Sequence, residues 1–222
     1  MPEPLIAIGL LVLLMIPYLI VEYKSPSVWW KLALKTACSL AFLAAALVAA
    51  ITAPGGWRGW HGIFVLAFML SLVGDVLLAV PMKRSLPSGM GAFFIAQCCF
   101  AEAFITRWGL SPWDSLVFAL LAGPALATLL LAPRMEYDGP MKFPALLYAV
   151  ALSAMATKAV SGLYTVGWAI AWPAAAGGLL FFASDVILCF IVFGKRKAPV
   201  LRALNLICYF VGQGLLAYSL YV

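Results

Sequence analysis

The sequence predicts an all-α polytopic membrane protein with eight transmembrane helices. Three observations carry that reading. The chain of 222 residues is 66% apolar and only 10% charged, with a mean hydropathy of +1.08. Windows of about 20 apolar residues, enough helix to cross a bilayer core, recur from end to end. The connections between them are short, so no soluble domain lies hidden, and residues 1–222 are assigned to a single integral membrane domain.

In order, the first span is roughly Pro4–Val21. It lacks a basic n-region and a small-residue cleavage pattern, and it carries Pro17 and Glu22 at its exit, so it reads as a retained helix rather than a leader. After Ser25-Pro-Ser27 comes Leu32–Ala53, closed by Ala53-Pro-Gly-Gly56. The third span, Trp60–Val80, starts beside the single histidine, His61, in a position for an interfacial side chain rather than a metal ligand. Met82 to Gly89 (MKRSLPSG) reads as a turn leading into the fourth span, Gly89–Thr106. The fifth, Trp113–Ala132, follows Gly109-Leu-Ser-Pro112 and contains Pro124. Glu136-Tyr-Asp-Gly-Pro140 precedes the sixth, Phe143–Ser161. The seventh, Trp168–Phe193, is long and contains Pro173 and Gly177-Gly178, so a tilt or kink is expected there. Lys195-Arg-Lys-Ala-Pro199 leads to the eighth, Val200–Val222.

The net charge of +6 does not mark a nucleic-acid protein. Lys24, Lys31, Lys83, Arg84, Arg134, Lys142, Lys195, Arg196, Lys197 and Arg202 all fall on one side of the array. The other side holds little beyond Arg58 and Arg107, with Lys158 near a helix end. The positive-inside bias makes the basic side cytoplasmic and leaves both termini outside. Anionic membrane lipids are the partners this rim attracts. Alanine-rich spans favour a bacterial inner membrane. The five cysteines, Cys38, Cys98, Cys99, Cys189 and Cys208, lie in apolar segments without ligand spacing and read as packing thiols.

A faint repeat runs through the array. Gly74-Asp75-Val-Leu-Leu78 in the third span resembles Ser184-Asp185-Val-Ile-Leu188 in the seventh, and Phe94-Ile-Ala-Gln97 resembles Phe210-Val-Gly-Gln213 four spans later. Partners four spans apart run in the same direction, which suggests a four-plus-four parallel repeat.

Intramembrane acids are functional hypotheses by default, because an aspartate at a helix centre costs roughly 2.5–3.5 kcal/mol. Asp75 lies about 9 Å inside its cytoplasmic helix end and Asp185 about 13 Å inside, at 1.5 Å per residue. Gln97, Tyr148, Tyr209 and Lys35 enter from the same face, while Gln213 and Glu102 reach nearer the midplane. Ser71 is one turn from Asp75 on the same helix face; Ser184 points away from Asp185 and reads as a helix brace. Asn205, Tyr209 and Gln213 form one hydrogen-bonding face. Glu102 reads as a third acid or as a partner for Lys158, and Lys35 as a snorkelling cation or a phosphate clamp. No serine elbow is present and no histidine stands to activate a serine, so triad chemistry is not expected. Two carboxyls in one cavity, one protonated and one ionised, suit acid/base work. No spacing argues for a metal.

At these residues the chain resembles the YhhN-like membrane proteins, a family that includes the lysoplasmalogenases. Ser71-Leu-Val-Gly74-Asp75-Val-Leu-Leu78 and Gly178-Leu-Leu-Phe181-Phe-Ala-Ser184-Asp185 carry the likeness, with weaker matches at Lys35, Tyr148, Tyr209 and Gln213. Many relatives have histidine and tyrosine where this chain has Gln97 and Phe100. The resemblance implies hydrolysis of the vinyl ether of a lysoplasmalogen, a lysophospholipid substrate, without a cofactor. It implies Asp75 and Asp185 as the acid/base pair, with Ser71, Gln97, Tyr148, Tyr209 and Gln213 positioning water or glycerol oxygens and Lys35 holding phosphate. The competing reading is a small-molecule or lipid transporter whose aspartates are proton or cation sites.

Overall fold

The computed structural model describes residues 3–24, 27–81, 84–132, 135–137, 139–195 and 198–222. Lys83, Arg134, Arg196 and Lys197 of the basic set, and the turn residues Ser25, Pro26, Met82 and Asp138, lie outside the described residues. The helices are α1 (Glu3–Lys24), α2 (Val28–Thr52), α3 (Gly59–Ala79), α4 (Ser85–Trp108), α5 (Asp114–Leu131), α6 (Lys142–Thr165), α7 (Trp168–Val192) and α8 (Pro199–Tyr218), with one 3₁₀ turn at Gly139–Met141. Seven of them, α2 to α8, are long and apolar enough to cross a membrane. The chain is a multi-pass integral membrane protein.

Predicted spans reappear with their ends moved by about one turn at most. At α4 the reading of Ser85–Gly89 as turn is corrected: these residues open the helix. Pro87 is tolerated there because first-turn N–H groups have no intrahelical acceptor. At the other end of the chain, α8 stops at Tyr218, and the Ser219 carbonyl accepts a hydrogen bond from Arg107 at 2.7 Å. Helices α1, α5 and α7 run on through Pro17, Pro124 and Pro173.

Six helices close a ring in the order α2, α3, α4, α6, α7, α8 and back to α2. α1 lies outside it against α2 and α8; α5 lies outside it against α6. The ring is tight where glycines remove side chains. A Cβ on Gly177 would stand 2.8 Å from the Leu216 nitrogen, and one on Gly212 would stand 3.0 Å from the Gly177 oxygen. The Gly177-Gly178 pair read as a helix breaker is therefore a backbone contact of α7. Gly89 plays the same part for α3 and α4: a Cβ there would meet Leu78 Cγ at 2.5 Å.

One half of the ring interior is filled by rings. Phe42, Phe64, Phe68, Phe100, Phe104, Phe181 and Phe210, from five helices, are fully buried. They meet mostly edge to face, Phe64 against Phe104 at 4.8 Å and Phe68 against Phe100 at 5.1 Å. His61 is buried beside this block rather than interfacial. It stacks on Trp60 at 3.6 Å, accepts from the Arg58 N–H at 2.8 Å and lies 3.2 Å from the Leu220 oxygen. Exposed Trp29, Trp30 and Phe143 at one end and Trp57, Trp113 and Trp168 at the other form aromatic girdles, as expected where helices meet two water interfaces.

Among the described residues α5 has one substantial packing partner, α6, and is pinned near both ends. At its start the Asp114 carboxylate pairs with Lys158 at 2.8 Å and accepts from the Tyr164 hydroxyl at 2.6 Å and the Ser111 N–H at 2.9 Å. At its end the Tyr137 hydroxyl donates to the Leu129 carbonyl at 2.7 Å. The strap carrying Tyr137 is itself docked on the end of α7, through the Glu136 N–H to the Phe193 carbonyl at 2.8 Å and an ion pair between Glu136 and Lys195.

Candidate functional site

The half of the ring interior that the phenylalanines leave open is a cavity of about 520 Å³, bounded on its far side by α5. That is within the range of small-molecule pockets. Its inner wall is polar and its outer wall apolar.

Asp75, four residues before the end of α3 and 2% exposed, lines the inner wall. Both of its carboxylate oxygens are engaged. Oδ1 pairs with Lys35 Nζ at 3.0 Å, and Oδ2 accepts from Ser39 Oγ at 2.6 Å and from the Tyr209 hydroxyl at 2.7 Å. Gln213 Nε2 donates in turn to the Tyr209 oxygen at 3.3 Å. Asp185, on α7, lines the same cavity and accepts one hydrogen bond, from the Tyr148 hydroxyl of α6. Both acids thus face one hollow.

The other predicted residues divide. Lys35, Tyr148, Ser184, Asn205 and Tyr209 line the cavity. Lys35 neither snorkels nor stands free, because it is held by Asp75. Asn205 donates to the Ser184 carbonyl at 2.8 Å and to its hydroxyl at 3.0 Å, so these two lock α8 to α7 just before Asp185. Gln97 is fully buried beside the Tyr148 hydroxyl, yet neither amide atom reaches hydrogen-bond geometry; Gln213 Oε1 is likewise unpartnered.

Two placements differ from expectation. Ser71 does not turn toward Asp75 or line the cavity; its hydroxyl donates to the Ala67 carbonyl at 2.9 Å, one turn back in its own helix. A buried hydroxyl on a helix takes that nearest acceptor readily. Glu102 is exposed on the outer face of α4, accepts from Thr106 at 3.3 Å, and neither lines the cavity nor meets Lys158, whose partner is Asp114.

Sequence reasoning missed Ser39, Cys189 and the α5 wall. The signal for Ser39 was present: it stands four residues from Lys35, on the same face of α2. Cys189, read as a packing thiol, lines the cavity. Nothing in the sequence of α5 marks it as a cavity wall.

Comparisons with known proteins place the chain in a family. The chain is 35% identical over 153 residues to proteins named lysoplasmalogenase from Mycobacterium bovis and Mycobacterium tuberculosis, covering 66% of this chain and 54% of each relative. It therefore spans about half the length of the curated relatives it matches. No solved structure matches it. The model of the YhhN family matches residues 30–220, nearly the whole chain, and the chain belongs to that family.

Proposed function

We propose that this protein hydrolyses the vinyl ether bond of lysoplasmalogens, releasing a fatty aldehyde and glycerophosphoethanolamine or glycerophosphocholine. The observation that carries the reading is the pair of aspartates lining one amphipathic cavity inside the bundle, taken with relatives that bear that activity in their names.

The reaction needs a proton on the β carbon of the alkenyl ether. That makes an oxocarbenium ion, water adds to its α carbon, and the hemiacetal collapses to aldehyde and alcohol. One water is consumed and the proton is returned. Asp185 has a single hydrogen-bond donor among the described residues and faces the cavity, so it is the group free to pass the proton. Asp75 has its lone pairs taken up by Lys35, Ser39 and Tyr209, so it is a fixed negative group near the developing cation. Gln97 and Gln213, with unpartnered amide atoms, suit the holding of water, and Lys35, a three-donor ammonium on the cavity wall beside Asp75, suits a substrate oxygen.

Helix pairings support the four-plus-four repeat: α1–α2, α2–α3, α3–α4 and α2–α8 correspond to α5–α6, α6–α7, α7–α8 and α6–α4. The basic connections support a site in the cytoplasmic half with both termini outside, and the alanine-rich spans favour a bacterial inner membrane. The phenylalanine block favours an enzyme over a transporter, which needs a route past it.

The test is aldehyde release, followed by mass spectrometry, from a panel of lysolipids incubated with purified protein in detergent. Aldehyde should come from alkenyl species alone, and Asp75→Asn and Asp185→Asn should each suppress it. Full activity in either variant removes the pairing.

A further inference from the structure

The polar inner wall accounts for a reacting headgroup region but leaves the opposite wall without a role. That wall is one face of α5. Leu121, Ala125 and Leu129 stand four residues apart and all line the cavity, a strip about 12 Å long at the helical rise. Thr128, which also lines it, turns its hydroxyl onto the Pro124 carbonyl at 2.8 Å, leaving no free polar group on the strip. The cavity also reaches the outside of the bundle beside α5. Leu120 and Phe190 both line it while 65% and 37% exposed, on a surface that faces hydrocarbon. α5 stands off α4 and α7 because its ends are tied at Asp114 and Leu129 while its middle packs on α6.

We propose that the α5 strip is the chain-measuring wall of the site: a single hydrocarbon chain enters sideways between α5 and α7 and lies along Leu121, Ala125 and Leu129, with side-chain bulk at Ala125 limiting its length. This rests on the reading of the ligand as a single-chain amphiphile, and it adds which residues select the chain. A chain suits the strip because the wall offers no hydrogen bond, its mouth opens on lipid, and the polar groups converge on the facing side, where the other end of an amphiphile belongs.

Cys189 reports occupancy directly, since its thiol lines the same cavity from α7. With Cys38, Cys98, Cys99 and Cys208 replaced by serine, alkylation of Cys189 by N-ethylmaleimide is followed against uncleavable 1-O-alkyl lysophosphatidylcholines with dodecyl, hexadecyl and icosyl chains. The lipids should protect Cys189. Ala125→Trp should weaken protection by the longest chain at least about tenfold relative to the shortest, and Leu121→Ala should shift the optimum toward longer chains. Leu130→Trp, on the exposed face of the same helix, should leave the profile unchanged. Ala125→Leu serves if the tryptophan variant does not elute as a single species. An unaltered chain-length profile in both Ala125 and Leu121 variants overturns the proposal, as does absence of protection by any chain. Protection that shifts as stated in a protein releasing no aldehyde upholds the wall and removes the hydrolase reading instead.

Discussion

Asp75 and Asp185 sit in closely similar stretches, Gly74-Asp75-Val-Leu-Leu78 and Ser184-Asp185-Val-Ile-Leu188, yet the bundle surrounds them differently. Asp75 receives a cation and two hydroxyl donors from α2 and α8. Asp185 receives one donor, Tyr148, and borders the cavity with the rest of its carboxylate. The reason lies in the helices opposite. α8 brings Tyr209 to Asp75, whereas Phe93, which stands four residues before Gln97 as Tyr209 stands four before Gln213, offers no hydroxyl. Two similar stretches of sequence can therefore supply two chemically unlike groups. One is held by partners at both oxygens; the other keeps part of its carboxylate on the cavity.

The largest effect that would test this contrast is on turnover. Asp185→Asn should reduce aldehyde release by roughly 10²–10⁴-fold, the usual weight of a proton-transferring group, with little change in thermal unfolding. If Asp75→Asn proves the more damaging to turnover per folded molecule, the assignment inverts. Next comes stability. Lys35→Met leaves the buried Asp75 carboxylate without its cation, and breaking such a pair costs about 3–5 kcal/mol. Thermal unfolding should drop accordingly, whereas Tyr148→Phe beside Asp185 should cost only about 1 kcal/mol. A smaller effect separates the two tyrosines. Among the described residues, Tyr209→Phe removes one of Asp75's three partners and Tyr148→Phe removes the sole donor to Asp185, so the second should lower turnover more. Glu102→Gln, on the outer face of α4, should change neither turnover nor unfolding.

A second pair of regions sharpens the point. Lys158–Asp114 resembles Lys35–Asp75 in geometry, at 2.8 and 3.0 Å, but it lies at the far end of the bundle and does not line the cavity that holds the two aspartates. It fastens α5 and the loop before it, with Lys158 also donating to the Gly109 carbonyl at 2.7 Å. Buried charge marks cost, and its neighbourhood decides whether that cost serves a site or a joint.

Much was legible from sequence because bilayer physics acts locally. A lipid-facing backbone must satisfy its own hydrogen bonds, so a run of about 20 apolar residues is a helix wherever it packs. Asp75, Asp185, Tyr148 and Tyr209 were recognisable by the expense of polarity at their depth. Ser71 and Glu102 were misjudged because depth and spacing do not reveal which way a helix is rotated. One hydroxyl found its own backbone and one acid found the outer surface.

By itself the sequence determined the number and order of the helices, the side on which basic residues gather, and the residues too polar to be there by accident. Only the tertiary structure decided which of those residues meet. Lys35 and Asp75 are far apart along the chain and joined only when α2 and α3 close the ring. The cavity exists because α5, pinned near both ends, has α6 as its one substantial packing partner among the described residues. Hydrophobicity is a property of each segment, but pairing and void are properties of how segments are turned and stacked, and no single segment carries them.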